Sequence, residues 1–111
     1  MGDQSGVDSR LAGRSFHLIG IGGAGMSVVA GLLKGQGAEV SGSDRNDSAV
    51  LQALLPLGVD AYYPHDANRV PSDATLVLSS AIRAENPELV VGQSRGQEII
   101  HRSQALALAA A

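Results

Sequence analysis

Apolar residues fall along this chain in two alternating kinds of block. Some are short continuous runs, the pattern of a strand buried on both faces. Others recur at three-and-four spacing, the pattern of a helix with one buried face. Arg14 to Gly20 (RSFHLIG) reads as a first strand ending in a glycine turn. Ala24 to Lys34 reads as a helix with Met26, Val29, Ala30 and Leu33 on one face, stopped by Gly35 and Gly37. Ala38 to Ser43 is a second strand, followed at once by Asp44. Asp47 to Leu57 is a second helix, capped by Asp47 or Ser48, with Val50, Leu51, Leu54 and Leu55 as its apolar face. Pro56 ends or kinks it, and Gly58 is the stop.

The second half repeats the theme. Val59 to Tyr63 is a short third strand, and Pro64 to Ser72 is a loop with room for one helical turn. Ala74 to Ser80 (ATLVLSS) is a fourth, continuous apolar strand. Asn86-Pro87-Glu88 starts a helix: a capping residue, a first-position proline and an acid at the positive end. That helix runs to about Gly96, Glu98 to His101 is a fifth strand, and Arg102 to Ala111 begins a last helix. Strand–helix alternation predicts an α/β, Rossmann-like three-layer fold: a five-stranded parallel sheet of order 3-2-1-4-5 flanked by helices. Met1 to Gly13 is polar and reads as a loose tail, so the domain is placed at 14–111. The Ala-rich end (ALALAAA) carries no helix stop, which predicts a longer protein or a linker beyond it.

Composition narrows the function. The net charge is −3 with 3% aromatic residues. That is no basic face for a phosphate backbone and no stacking platform for bases, so nucleic acid is not an expected partner. The chain has no cysteine, which removes disulfides, thiol nucleophiles and thiolate metal sites and fits a reducing cytoplasm. It has no apolar run long enough to span a membrane and no signal-peptide apolar region.

The chemistry gathers where such sheets bind ligands, beyond the carboxyl ends of the strands beside strand one. Gly20, Gly22 and Gly25 have the spacing G-x-G-x-x-G between a strand and a helix. There Gly20 can turn sharply, Gly22 lets backbone approach a phosphate, and Gly25 lets the helix pack close to its strand. The helix start, Gly22, Gly23, Ala24, Gly25 and Met26, then offers N–H groups and a positive dipole to a diphosphate. Asp44 follows Gly20 by 24 residues at the end of strand two. It can accept from ribose hydroxyls, accept from a pyrimidine N–H, or cap the next helix. Arg45 can pair with phosphate, or lie on the surface. His65 can donate to a phosphate or sugar, whereas His17 and His101 sit in strands and read as structural. Ser79, Ser80, Ala81 and Ile82 leave strand four with small side chains and hydroxyls. No metal spacing, nucleophile–base pair or G-x-x-x-x-G-K-[ST] loop is present.

HLIGIGGAGMS, EVSGSD, LVLSSAI with ENPEL, and EIIHR before an Ala/Leu-rich helix together resemble the N-terminal domain of the Mur ligases, over about Arg14 to Leu108. A related murein-peptide branch carries bulkier residues where this chain has Gly23-Ala24-Gly25, so the likeness is to the alanine-adding branch. Pro64 before His65 departs from the glycine common in the family. The resemblance implies ATP- and magnesium-dependent joining of L-alanine to UDP-N-acetylmuramic acid, through an acyl phosphate, in cytoplasmic peptidoglycan synthesis. It implies that this first domain grips the UDP part. Gly22 to Gly25 would face the diphosphate, and Asp44, Arg45 and Asn46 would lie near uracil and ribose. Ser80, Ala81 and Ile82 would line the other side, with His65 nearby. It further implies that ATP-binding and C-terminal domains lie beyond this sequence, so that this segment needs no cofactor and catalyses nothing alone. The glycine loop with Asp44 also fits a stand-alone NAD-binding regulatory domain, which does not require the SSAI and ENPE segments.

Overall fold

A computed structural model describes residues 10–111. The chain alternates strand and helix as β1 (Ser15–Ile19), α1 (Ala24–Gly35), β2 (Glu39–Ser43), α2 (Ala49–Leu54), β3 (Asp60–Tyr62), β4 (Thr75–Leu78), α3 (Pro87–Ser94), β5 (Ile99–His101) and α4 (Arg102–Ala110). The five strands form one parallel sheet in the order β3-β2-β1-β4-β5. This is the expected topology, and it puts the β1–α1 turn beside the point where the strand order reverses.

Strand period sorts the side chains onto two faces. Register aligns Ile100, Val77, Leu18, Gly42 and Ala61 across the sheet. The apolar side chains among these, with Phe16 and Val40, share one core with Met26, Val29, Ala30 and Leu33 of α1, Leu51 and Leu54 of α2, and Ala105 and Ala109 of α4. The other face carries a smaller apolar cluster of Ile19, Leu76, Leu89 and Val70, against α3 and the loop before β4. Beside it, His17, Ser41, Ser43 and Tyr62 point from the same face. α3 sits so close that a Cβ at Gly92 would run into the Leu76 side chain.

Local chemistry sets the ends of the elements. Ser48 caps α2 by accepting the Leu51 N–H at 3.0 Å. Pro56 turns the chain from α helix into one 3-10 turn over Leu55–Leu57, and Gly58 closes it at φ +87°. The second helix is therefore shorter than its pattern suggested, and Val50 and Leu55, expected on the buried face, are exposed. His101 caps α4 in a capping box with Gln104, so it is structural as read. The loop before β4 holds the expected single helical turn at Ala67–Arg69.

The tail assignment needs a correction at its inner end. Leu11 is 6% exposed and joins the main core, and its N–H donates to the Gln36 carbonyl at 3.0 Å. A single large apolar residue between Arg10 and Ala12 has no period to reveal it, and its bond is to the end of α1. The rest of that assignment, residues 1–9, lies outside the described residues.

Candidate functional site

The carboxyl ends of β1, β2 and β4 open onto a cleft of about 670 Å³, within the ordinary range for a small-ligand site. Gly23, Ala24, Gly25 and Met26 form one wall, Asp44, Arg45, Asn46 and His65 another, and Ser79, Ala81 and Ile82 a third. Met26 reaches the wall although its side chain belongs to the core. Ten of the twelve residues singled out from sequence thus meet in one place. Gly22 and Ser80 do not border the cleft, whereas Ser79, named with Ser80 in the segment leaving strand four, does.

The glycine turn is built from the inside. Gly20 adopts φ +86°, a conformation that a side chain would strain. The N–H groups of Gly20 and Ile21 both donate to the Ser43 carbonyl, at 2.8 and 2.9 Å, tying the turn to β2. Asp44 then reaches back. Its Oδ2 accepts the Gly22 N–H at 2.8 Å, and its Oδ1 accepts the Arg45 N–H at 2.7 Å. A Cβ at Gly22 would lie 2.8 Å from that Oδ2, so this glycine makes room for a carboxylate.

This corrects the expected donor set. The Gly22 N–H is held by Asp44, and the Gly23 N–H donates to the Gly20 carbonyl at 3.0 Å. The first bond of the α1 ladder runs from Ser27 N–H to the Gly23 carbonyl. The N–H groups of Ala24, Gly25 and Met26 precede it and are the ones the helix start can offer to an anion. Asp44 keeps a second lone pair on each oxygen for a ligand hydroxyl or ring N–H.

Sequence reasoning missed two features of this site. Arg102 crosses from the start of α4 to the glycine loop, and a Cβ at Gly25 would lie 2.6 Å from its Nη1. Gly25 therefore accommodates a guanidinium. Arg102 and Arg83 bring positive charge to the cleft, which Glu85 and Asp44 also line. A basic residue straight after the last strand was the available signal.

The second feature lies beneath the cleft. Glu88 was read as an acid at a helix start; it holds that position and is also fully buried. Its Oε1 accepts from His17 Nε2–H at 2.7 Å and from the Ser43 hydroxyl at 2.6 Å. Its Oε2 accepts from the Tyr62 hydroxyl and the Asp66 N–H, both at 2.7 Å. All four lone-pair positions of the carboxylate are thus filled. Burial pushes its pKa up, but the bonds from His17, Ser43, Asp66 and Tyr62 outweigh burial and bring it down to about 2. The Tyr62 hydroxyl moves far upward, first through burial and then through its bond to and the charge of Glu88. Ser43 Oγ also lies 2.7 Å from His65 Nδ1, which connects this buried cluster to the cleft wall.

Among the described residues no group of three or more His, Cys, Asp or Glu could hold a metal ion. The sequence carries no lysine-bearing phosphate loop. No described helix is long and apolar enough to cross a membrane.

The family model for the Mur ligase family, catalytic domain, matches residues 15–111. A UDP-N-acetylmuramate–L-alanine ligase of Bifidobacterium adolescentis is 50% identical over 92 residues, 83% of this chain and 18% of that protein. The ligase of the same name from Streptomyces coelicolor is 51% identical over 92 residues, 82% of this chain and 20% of its own length. The crystal structure of UDP-N-acetylmuramate-alanine ligase from Thermotoga maritima superposes with a TM-score of 0.78 at 31% identity, over 81% of this chain and 21% of that one. A murein-peptide ligase structure from Neisseria meningitides gives 0.77 at 28% identity, over 86% of this chain and 30% of that one. The chain spans about a fifth of the length of the curated relatives it matches. Family model, relatives and fold agree over β1 to α4, and the chain belongs to the Mur ligase family.

Proposed function

We propose that this chain is the segment of an alanine-adding Mur ligase that grips the UDP part of UDP-N-acetylmuramic acid. One observation carries the reading. The glycine turn, Asp44 and the segment after β4 enclose one cleft, in a chain half identical to ligases named for that substrate. The Ala24, Gly25 and Met26 N–H groups and the Arg102 guanidinium supply the complement to a diphosphate. On this reading Asp44, Arg45 and Asn46 serve ribose and uracil, with Ala81, Ile82 and His65 completing the lining of the same cleft.

On this reading the segment binds and orients. L-alanine, ATP and magnesium act through groups outside these residues, in cytoplasmic peptidoglycan synthesis. Held alone, the segment supplies only part of the contacts to the whole substrate, so its affinity is weak and its catalysis absent. The test is a titration of the chain, followed by amide NMR shifts, with UDP-N-acetylmuramate, UDP and NADH in parallel. Shifts at Ala24 to Met26, Asp44 and Ala81 with the first two ligands only are the expected result. Shifts with NADH alone would overturn the reading and leave a dinucleotide-sensing domain.

A further inference from the structure

The buried cluster under the cleft determines which face His65 turns to a ligand. Ser43 has one hydroxyl proton and two lone pairs. Its Oγ lies 2.6 Å from Glu88 Oε1 and 2.7 Å from His65 Nδ1. A carboxylate cannot donate. At 2.6 Å an undonated contact would set a lone pair against an anion, so the Ser43 proton lies toward Glu88. Glu88 cannot release it for another use, since each of its four lone-pair positions already has one donor. Ser43 Oγ is then an acceptor toward His65, and His65 Nδ1 carries the hydrogen. In a neutral imidazole this leaves Nε2 bare. Nε2 lies on the side of the ring away from Ser43, and His65 borders the cleft. Among the described residues Nε2 has no hydrogen-bond partner.

We propose that Glu88, acting through Ser43, fixes His65 as the Nδ1–H tautomer, so that Nε2 presents an acceptor to the cleft and reads hydroxyl or ring N–H groups of a ligand rather than its phosphates. Ser43 and Glu88 are positioning residues; His65 is the one that meets the ligand. This role differs from donation by His65 to a phosphate or sugar, the contact that the sequence suggests. Donation from Nε2 would need the imidazolium, while acceptance needs only the neutral ring that the cluster orients. The ligand half of the proposal rests on the UDP-site reading, whereas the tautomer half does not.

The experiment is long-range proton–nitrogen NMR of the histidine rings in the ¹⁵N-labelled chain, at a pH well above the ordinary histidine value of about 6.5. Without ligand, His65 is expected to show a protonated Nδ1 and a bare Nε2. In Ser43→Ala the bond to Nδ1 is gone, and the balance should move toward Nε2–H, the form that unconstrained imidazole prefers. Ser43→Thr, which keeps the hydroxyl, should restore the wild-type pattern. The backbone amide spectrum of each variant reports whether it folds, and Glu88→Gln serves as a second variant if Ser43→Ala does not. An Nε2–H tautomer in the wild-type chain, or no change in a folded Ser43→Ala, would overturn the positioning role. Titration with UDP and with inorganic pyrophosphate then tests the ligand half. A shift of Nε2 with UDP and none with pyrophosphate is expected. A shift with both, or with neither while the Ala24 to Met26 amides respond to UDP, would overturn it. No response to UDP anywhere would instead sink the UDP-site reading and leave the tautomer result standing.

Discussion

The two faces of the sheet solve the same burial problem with opposite chemistry. Toward α1, α2 and α4, the strand positions that point inward are apolar or glycine from Ala61 through Leu18 to Ile100, with the exception of Thr75, whose hydroxyl donates to Glu98 Oε1 at 3.0 Å. Toward α3, the strands next to the cleft present His17, Ser41, Ser43 and Tyr62, and one carboxylate collects most of their hydrogen bonds. The dry face is held by area and shape, which no proton changes. The polar face is held by four directed bonds to one ion, which a single proton can disrupt. The cleft lies at the end of the polar face. Rigid donors and acceptors can be aimed upward from there, which an apolar core cannot do.

The largest break in this contrast should come from removing the ion. Glu88→Ala takes the acceptor from four donors, three of them on the buried side chains of His17, Ser43 and Tyr62, and should cost about 3 to 5 kcal/mol. Leu18→Ala on the dry face should cost a similar amount, about 2 to 5 kcal/mol, through the cavity it leaves. Urea unfolding measures both, and a loss under 1 kcal/mol for Glu88→Ala would show the cluster to be incidental.

Acid should then separate the faces. Glu88 titrates near 4.5 when unfolded and at about 2 when folded. Because the folded value is the lower one, its contribution is present above pH 4.5 and is lost as pH falls toward 2. That contribution is on the order of 3 kcal/mol. Unfolding followed across this window should show the slope in wild type and in Leu18→Ala, and much less of it in Glu88→Gln. The opposite sign holds for Tyr62. Its value is raised, so its contribution is full below pH 10 and declines above it, and Tyr62→Phe should flatten the alkaline arm.

Two glycine substitutions refine the picture at smaller scale. A Cβ at Gly42 would lie 2.5 Å from both Ile21 Cδ1 and the Leu18 carbonyl, so Gly42→Ala should cost about 1 to 3 kcal/mol by overpacking the dry face. Gly31 sits mid-helix in α1 with nothing within 4 Å of an added Cβ. Gly31→Ala should stabilise by about 0.5 to 1 kcal/mol, as thermal unfolding would register.

What could be read from sequence was whatever depends on near neighbours. The strand–helix alternation, the Asn86 cap with Pro87, the Pro56 break and the glycine turn all express local spacing, and with the handedness of crossovers they imply the sheet order. The cleft was legible because the fold class says where the strands' carboxyl ends open. Glu88 was not, because its partners His17, Ser43 and Tyr62 lie 71, 45 and 26 residues away and meet it only through parallel register. The clue was present as polar residues at alternate positions of β1 and β2, but alternation alone does not say whether a polar face meets water or another side chain. Leu11 and Arg102 escaped for the same reason, since each is placed by α1 rather than by its own neighbours.

Gly25 and Arg102 stand 77 positions apart, yet they occupy one another's space. The last glycine of the loop thus leaves room for the arginine side chain, and a larger residue there would require the guanidinium to move aside. A lineage that shortened the side chain at 102 would release position 25 to accept alanine, and one that enlarged position 25 first would drive the guanidinium off the helix start. Drift in the glycine signature of such chains should therefore be traced at the beginning of the last helix as well as in the loop.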